Sequence, residues 1–333
     1  MALYNKAATV ERAIRSIVHQ TVADWRLIVV DDGSTDDGPA RVHGIDDVRI
    51  EIIRQENRGP GAARNVGLQK AHTAFVTFLD ADDEWYPWFL EETLAALEDP
   101  TVDLAVTPYY LWPARSDIRE IWRRFGITPG RYTITGAENP VWIDHFRNVP
   151  LAWNMAIRTD LARRCGGFYD RDRCVSGEDS TFFFRVVFAA TVLVLDRPAA
   201  RYHLEDSQLG FFSRRAVTCP PFLQDPGLVL DYCRPPLRPL MQRTLDHAAA
   251  TRVWQFARTG RKQQACEIMA RFPGIAAYPE LERRARRAMR FSRLLAHWVR
   301  FKCAVGRLRC LCTLRSRRTR TQAGVPLMPH EAT

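Results

Sequence analysis

The chain has 333 residues, of which 46% are hydrophobic and 26% are charged. This length allows one large domain with an appendage, or two domains, and the composition is typical of a soluble globular protein. The longest apolar run, FAATVLVL at 188–195, is too short to cross a bilayer as a helix. The N-terminus also lacks the charged and apolar regions of a signal peptide.

Charge is distributed very unevenly along the chain. Residues 1–207 contain 24 Lys and Arg against 31 Asp and Glu, whereas residues 208–333 contain 24 against 7. We therefore predict two parts: an acidic domain over 1–207 that bears the site, and a basic, mainly helical C-terminal extension over 208–333 that meets an anionic surface.

The eight cysteines form no regular framework. Only Cys310 and Cys312 are close together, and a C-x-C pair alone is a weak metal signal. We therefore expect reduced thiols and a cytoplasmic location.

Helical and strand patterns alternate along the first hundred residues. Apolar residues at 10, 13, 14, 17 and 18 predict an amphipathic helix over 9–20 with Thr9 as its N-cap. Further helices are predicted at 60–72, 86–98 and 177–190. Short apolar or alternating runs predict strands at 26–30, 48–54, 75–79, 102–106 and 191–196. This alternation predicts a three-layer α/β/α domain with a mostly parallel central sheet, in which 191–196 is the last strand.

Between about residues 110 and 160 the pattern weakens, and tryptophans lie among short elements. They either pack in the core or form a substrate platform, and the sequence leaves both open. The tryptophans are Trp112, Trp122, Trp142 and Trp153.

The start of the chain leaves little room for a first strand. An α/β sheet needs a strand before the helix at 9–20, and only MALYNKAA is available for it. Either this strand is two or three residues long, or the natural chain begins upstream of residue 1. We expect the second.

Acidic residues come directly after two of the predicted strands. Asp31 and Asp32 come after RLIVV, and Asp80, Asp82 and Asp83 come after VTFL. Ligands of such sheets bind beyond the carboxyl ends of the strands, where neighbouring strand ends converge. The second cluster is either a solvated, Asp-rich turn or a site for Mg²⁺ or Mn²⁺, which prefer oxygen ligands.

Other residues have both a chemical and a structural interpretation. Arg64, in NRGPGAARNVGL, either reaches a phosphate or belongs to a closely packed helix start. Asp179 is either a general base or a first-turn acid that suits the helix dipole. His203 is either a metal ligand or a structural histidine.

Taken in order, six segments resemble the family 2 inverting glycosyltransferases of GT-A fold: LYNKAATVERAIRSIVHQT, VVDDGSTDD, NRGPGAARNVGL, FLDADDEW, GGFYDRDRCVSGEDSTFFFRV and RYHLEDS. The resemblance covers roughly residues 3–207. It implies a GT-A catalytic domain that transfers a sugar from a nucleotide-sugar, which we expect to be a UDP-sugar. The implied acceptor is a saccharide or lipid-linked saccharide in bacterial surface polysaccharide assembly.

The resemblance also implies which residues bind the donor. Tyr4 matches the residue that packs near the donor base, and Asp32 matches the carboxylate that reads the base. Arg64 matches a basic residue near the diphosphate, and Asp80 faces the ribose and sugar. The apolar strand that relatives carry before the YN motif is missing here, which affects base binding near Tyr4.

The remaining matches concern the cation and the proton. Asp82 matches the metal ligand, with Asp83 as a neighbour and His203 where some relatives place a further ligand. The implied cofactor is Mn²⁺ or Mg²⁺. Asp179, in the GED segment, matches the base that deprotonates the acceptor hydroxyl in a single inverting displacement.

The C-terminal segment at 281–320 combines many arginines with an apolar helical stripe. Such a helix can lie at an anionic membrane surface, here the inner face of the cytoplasmic membrane, or it can pack on the catalytic domain; both interpretations are open. We expect no nucleic-acid partner, because the arginines accompany no RNA-binding module. The stripe consists of Leu281, Ala285, Ala288, Phe291, Leu295 and Trp298.

Two other functions are considered. A nucleotidyltransferase would need a glycine-rich loop with a basic residue after the first strand, and LYNKAAT does not supply one. A catalytically inactive, membrane-docked scaffold is disfavoured because Asp80, Asp82 and Asp179 occur together.

Overall fold

The computed structural model describes residues 1–207 and 218–290. The chain divides into two compact units, Met1–Arg238 and a second that begins at Pro239. The domain boundary that we predicted after residue 207 stays a prediction, and the first compact unit extends beyond it.

Short strands make up the sheets of the first unit. The strands are β1 (Ala2–Leu3), β2 (Leu27–Asp31), β3 (Ile50–Arg54), β4 (Phe75–Thr77), β5 (Glu84–Trp85), β6 (Leu104–Val106), β7 (Tyr109–Trp112), β8 (Ser116–Asp117), β9 (Gly130–Thr133), β10 (Met155–Arg158), β11 (Thr191–Val194) and β12 (Ala200–His203). The two residues of β1 agree with the short first strand for which the sequence leaves room.

Helices separate most of these strands and continue after them. The helices are α1 (Val10–Val18), α2 (Gly38–His43), α3 (Pro60–Lys70), α4 (Phe89–Leu97), α5 (Arg119–Arg124), α6 (Pro140–Phe146), α7 (Thr159–Arg164), α8 (Glu178–Ala189), α9 (Pro221–Gln224), α10 (Gly227–Leu230), α11 (Arg238–Arg258), α12 (Lys262–Arg271) and α13 (Pro279–Arg290).

The strands pair into three sheets, of which the first is entirely parallel and the other two combine parallel and antiparallel neighbours. β1, β2 and β3 are parallel, with Leu3 opposite Asp31 and Asp31 opposite Arg54. The second sheet has the order β4–β10–β6–β11–β9, and the third has the order β5–β12–β7–β8. β6 is parallel to β11 and β7 to β12, whereas β10 runs antiparallel between β4 and β6. These helices and sheets confirm the predicted α/β class.

The prediction that residues 191–196 form the last strand is wrong, because β12 comes after it at Ala200–His203. The sequence ARYH contains two basic residues and gives no apolar alternation. Both side chains are nevertheless buried, and each pairs with Glu84: Arg201 Nη1 lies 3.9 Å and His203 Nε2 2.6 Å from Glu84 Oε2. A partner 119 positions away cannot be read from local pattern.

The core explains why α1 and α8 are fixed in place. In α1, Val10, Ala13, Ile14 and Ile17 are buried, as the predicted stripe requires. α8 is buried on most sides by its run of phenylalanines and valines, so it is an internal helix rather than a surface one. Phe168 packs against Phe78, beyond the end of β4, at 4.9 Å, and against Phe182 of α8 at 4.6 Å. This aromatic contact sets the end of β4 beside the start of α8.

The second unit is helical where it is described. α13 buries Ala285 and Ala288, while Arg284 and Arg286 pair with glutamates one turn earlier. The rest of the predicted stripe (Phe291, Leu295 and Trp298), like the Cys310–Cys312 pair, lies outside the described residues. The membrane contact that we predicted for 281–320 therefore stays a prediction. Across 1–207 and 218–290, no helix combines the length and apolar character that a membrane span requires.

Candidate active site

The end of β2 is built around Asp32. Its carboxylate accepts hydrogen bonds from the backbone N–H groups of Arg58 and Gly59, both at 2.8 Å, and from Gln55 Nε2 at 2.7 Å. Asp32 is almost fully buried, so these bonds fix the segment 55–59 beside the strand end. A groove of about 430 Å³ opens here, lined by Gly33, Arg54, Gln55, Glu56 and Asn57.

Tyr4 lies near the same strand end. Tyr4 is 48% exposed, so its ring is open to solvent. The next residue, Asn5, donates its backbone N–H to Ser34 Oγ at 3.1 Å and accepts from the Thr35 backbone at 2.8 Å. The loops that carry Tyr4 and Asp32 are therefore tied together.

Two glycines let the segment at the start of α3 approach its neighbours. Gly59 has φ of +94°, a conformation that costs glycine little, and this turns its N–H toward Asp32. At Gly61 a Cβ atom would lie 2.1 Å from the carbonyl oxygen of Tyr169. The glycine therefore permits close contact between α3 and the chain that leads to α8.

We expect Gly61→Ala to lower the free energy of unfolding by about 1–3 kcal/mol, because backbone atoms must move to admit the methyl group. Gly67→Ala is the matched control within the same helix, since its Cβ would meet only Val30 Cγ2, at 3.9 Å. That change should be neutral or stabilise by up to about 1 kcal/mol. Urea unfolding of both variants decides the point, and equal effects would contradict the close-approach explanation.

Asp82 and Asp83 lie side by side in the turn after β4. Asp83 is buried, and its Oδ1 accepts the backbone N–H of His203 at 2.9 Å, whereas its Oδ2 is buried without a hydrogen-bond partner. Burial raises the pKa of Asp83 well above its ordinary value, and the charges of Asp82 and Asp80 add to this effect. Burial and the Asp80 charge also raise the pKa of Asp82, although Lys6 counteracts them.

This donor set fits a divalent cation. Buried carboxylates that raise one another's pKa form an excess of negative charge, and an orphaned carboxylate oxygen is costly in a protein interior. Hard cations prefer such oxygen ligands. Asp80, Asp82 and Asp83 are therefore candidate ligands for such an ion.

His203 lies beside this cluster but faces other acids. Its Nε2 is 2.6 Å from Glu84 Oε2, and its Nδ1 is 3.0 Å from Glu205 Oε1. A ring nitrogen would have to leave its carboxylate before it bound a cation. His203, Glu205 and Asp206 form a separate group whose ligand atoms lie within 4.8 Å of one another.

Arg64 connects the two acidic ends of the site. Its Nη2 donates to Asp80 Oδ1 at 2.6 Å, and its Nη1 donates to Glu178 Oε1 at 2.9 Å. The guanidinium is buried and lies over the ring of Phe168, with Cζ 5.3 Å from its centroid. Burial lowers the pKa of Arg64, but Asp80 and Glu178 outweigh that effect and keep its pKa above the ordinary value.

Asp179 stands next to Glu178 in the first turn of α8. Its Oδ1 accepts the Ser180 backbone N–H at 2.6 Å. Burial raises the pKa of Asp179, with Arg64 opposing the shift. Burial and the Asp179 charge raise the pKa of Glu178 to about 7. Ionising the carboxyl groups of both Glu178 and Asp179 is therefore unfavourable.

Three residues of this site are not among those that the sequence predicts. From the sequence, Glu178 is predicted only to be an acid in the first turn of a helix. No role is predicted for Lys6 in the segment LYNK. Glu84 gives no signal, because it comes after the aspartates as an ordinary polar residue. Glu178 and Lys6 can be singled out only by knowing that Arg64 and Asp82 lie opposite them.

The N-terminal part of the chain is similar in sequence to known proteins. Residues 1–151 match the family model described as Glycosyl transferase family 2. The putative glycosyltransferase EpsH of Bacillus subtilis is 36% identical over 111 residues, which are 33% of this chain and 32% of EpsH. The glucosyltransferase WfgD of Escherichia coli is 37% identical over 98 residues, 29% of this chain and 39% of WfgD. The matched segment thus spans only about a third of these relatives' length.

Among solved structures, S. aureus TarS 1–349 in complex with UDP-GlcNAc has a TM-score of 0.64 at 17% identity, with 90% of each chain covered. This likeness confirms the predicted GT-A fold. The chain is therefore similar to glycosyl transferase family 2 over residues 1–151, which make up less than half of its length.

Proposed function

We propose that this chain is an inverting, metal-dependent glycosyltransferase that takes a sugar from a nucleotide-sugar donor. The bridge through Arg64 carries the proposal, since it joins Asp80 to Glu178 beside Asp179. An inverting displacement needs a leaving-group site and a base on opposite sides of one carbon. Two acidic groups held apart by one buried cation supply such an arrangement.

The donor base is assigned to the groove beside β2. Tyr4 offers an exposed aromatic ring, and Asp32 holds the segment 55–59 that lines the groove. An aromatic ring and fixed backbone polar groups suit a nucleobase, which stacks and forms hydrogen bonds. We assign the sugar and the diphosphate to Asp80 and Arg64, which are bonded to each other.

A divalent cation, Mn²⁺ or Mg²⁺, is assigned to Asp80 and Asp82. When bound, such an ion supplies positive charge that stabilises a departing nucleoside diphosphate. Asp83 supports Asp80 and Asp82 electrostatically, because its buried carboxylate raises their affinity for positive charge. His203 contributes through the backbone N–H that orients Asp83.

Asp179 is assigned as the base. It accepts the proton of an acceptor hydroxyl while the hydroxyl oxygen forms a bond to the anomeric carbon. The bond between that carbon and the diphosphate oxygen breaks in the same step, and its electron pair leaves with the diphosphate. A pKa raised by burial suits this role, since a general base works best when its pKa approaches the working pH.

Relatives support a choice of substrates for this proposal. TarS was solved with UDP-GlcNAc, and WfgD is named as a UDP-Glc glucosyltransferase acting on α-D-GlcNAc-diphosphoundecaprenol. We therefore propose a UDP-sugar donor, and a saccharide or lipid-linked saccharide acceptor in polysaccharide biosynthesis.

The experiment that tests this function compares donor hydrolysis and transfer in Mn²⁺, in Mg²⁺ and in a chelator. We expect wild-type activity to require the cation, and Asp82→Asn to lower metal affinity or activity by about 10- to 100-fold. Asp46→Asn, which changes an exposed aspartate in the loop before β3, is the matched control and should behave as wild type. Activity without any divalent cation, or full activity in Asp82→Asn, contradicts the metal assignment.

A further inference from the structure

Lys6 places a positive charge inside the acidic cluster, and the proposed function does not use it. Its Nζ donates to Asp82 Oδ2 at 2.5 Å and to the backbone oxygen of Asp206 at 3.1 Å. The side chains of Lys6 and Asp82 are only 18% and 13% exposed, so water screens this pair weakly. Thr9 donates to the backbone oxygen of Ala81 at 2.8 Å, which holds the start of α1 against the same turn.

Arg12 makes the complementary set of contacts. Its Nη2 donates to the backbone oxygen of Asp82 at 2.6 Å and to Asp206 Oδ2 at 2.8 Å. Arg12 thus neutralises the Asp206 carboxylate and holds the Asp82 turn through its backbone. Lys6 is the cation on the Asp82 carboxylate itself. Arg12 can keep its contacts when a ligand arrives, whereas Lys6 occupies an oxygen that a divalent cation would use.

The charge of Lys6 decides how it responds to an arriving ligand. An ammonium and a divalent cation on one carboxylate repel each other strongly where water is scarce. A lysine ammonium is a point charge on a flexible stem, so it can change partner without moving the backbone. A nucleoside diphosphate brings several negative oxygens to this place, and lysine is a common phosphate ligand.

Building on the proposed function, we propose that Lys6 exchanges partners at this site. Its ammonium neutralises Asp82 before a divalent cation binds there, and it turns to the donor diphosphate once the cation has taken its place. The Asp82 carboxylate is then paired with a positive charge at every stage of loading. Lys6 competes with the bare cation and favours the cation that arrives together with a nucleoside diphosphate.

Binding measurements test this exchange without any turnover. Binding of Mn²⁺ alone is titrated by electron paramagnetic resonance, and binding of UDP at saturating Mn²⁺ is then measured by calorimetry. In Lys6→Met we expect Mn²⁺ alone to bind about tenfold more tightly, and UDP with Mn²⁺ to bind about tenfold more weakly. Lys6→Arg keeps the charge and should remain close to wild type in both titrations.

Lys70→Met is the matched control, because it removes one positive charge at an exposed position near the end of α3. It should leave both affinities within about twofold of wild type. Mn²⁺ binding that is unchanged or weaker in Lys6→Met overturns the exchange, and so does unchanged UDP binding. A wild-type protein that binds no Mn²⁺ under either condition overturns the metal site of the proposed function itself, which is a different result from equal binding by wild type and Lys6→Met.

Discussion

Replacing Asp179 with asparagine is expected to reduce sugar transfer by about 10²- to 10⁴-fold, the usual loss when a general base is removed. Asparagine has the same shape and can still accept the Ser180 N–H bond that Asp179 Oδ1 accepts. It also removes a negative charge that raises the pKa of Glu178, so the variant should be at least as stable as wild type. Its melting temperature therefore separates lost chemistry from lost folding.

The pH profile gives an independent check of the same residue. Burial raises the pKa of Asp179, and a base acts only when ionised. The kcat/KM of the wild type should therefore fall as the pH drops through this raised pKa. In Asp179→Asn the residual activity should lose that dependence.

Asp172→Asn is the control for these measurements. It makes the same chemical change at an exposed residue seven positions before Asp179. Asp172 has φ of +57°, a conformation that asparagine tolerates. A small effect of Asp179→Asn, or an equal effect of Asp172→Asn, would contradict the assignment of the base.

Replacing Arg64 with methionine is expected to destabilise the protein by about 3–5 kcal/mol, the usual cost of removing one partner of a buried ion pair. The change leaves Asp80 and Glu178 without the cation that bonds to both. Adding Glu178→Gln should recover part of the loss, because one of the unpaired carboxylates is then removed. Urea unfolding of the single and double variants measures both effects.

The penalty of Arg64→Met should depend on pH in a defined direction. The pKa of Glu178 is already raised to about 7 in the wild type, and loss of Arg64 raises it further. A carboxyl with a raised folded-state pKa stabilises the protein below its unfolded pKa, and that stabilisation is lost as the pH rises through the folded pKa. The penalty should therefore grow as the pH rises above about 7 and be smaller below it, where Glu178 is already protonated in the wild type.

Arg15→Met provides a surface comparison. Arg15 pairs with Glu11 one turn earlier on α1, and about half of its side chain is exposed, so its removal should cost no more than about 1 kcal/mol. If Arg64→Met costs as little as Arg15→Met, the buried bridge does not hold the site together.

The sequence by itself determined the class of the fold, and it located most of the candidate site residues along the chain. Apolar periodicity located α1 and β2, because burial of one face repeats every turn of a helix or every second strand residue. The acidic residues after β2 and β4 were readable for the same reason, since a strand end is a local feature. The order of the six segments then indicated a resemblance to the family 2 glycosyltransferases.

The tertiary structure alone decided which charges meet. Arg64 lies 114 positions from Glu178, and Lys6 lies 76 positions from Asp82, so no local pattern relates them. The strand β12 was missed because its basic residues are buried only by virtue of a distant glutamate. Sequence periodicity records which face of an element avoids water, whereas the pairing of buried charges depends on the packing of whole elements against one another.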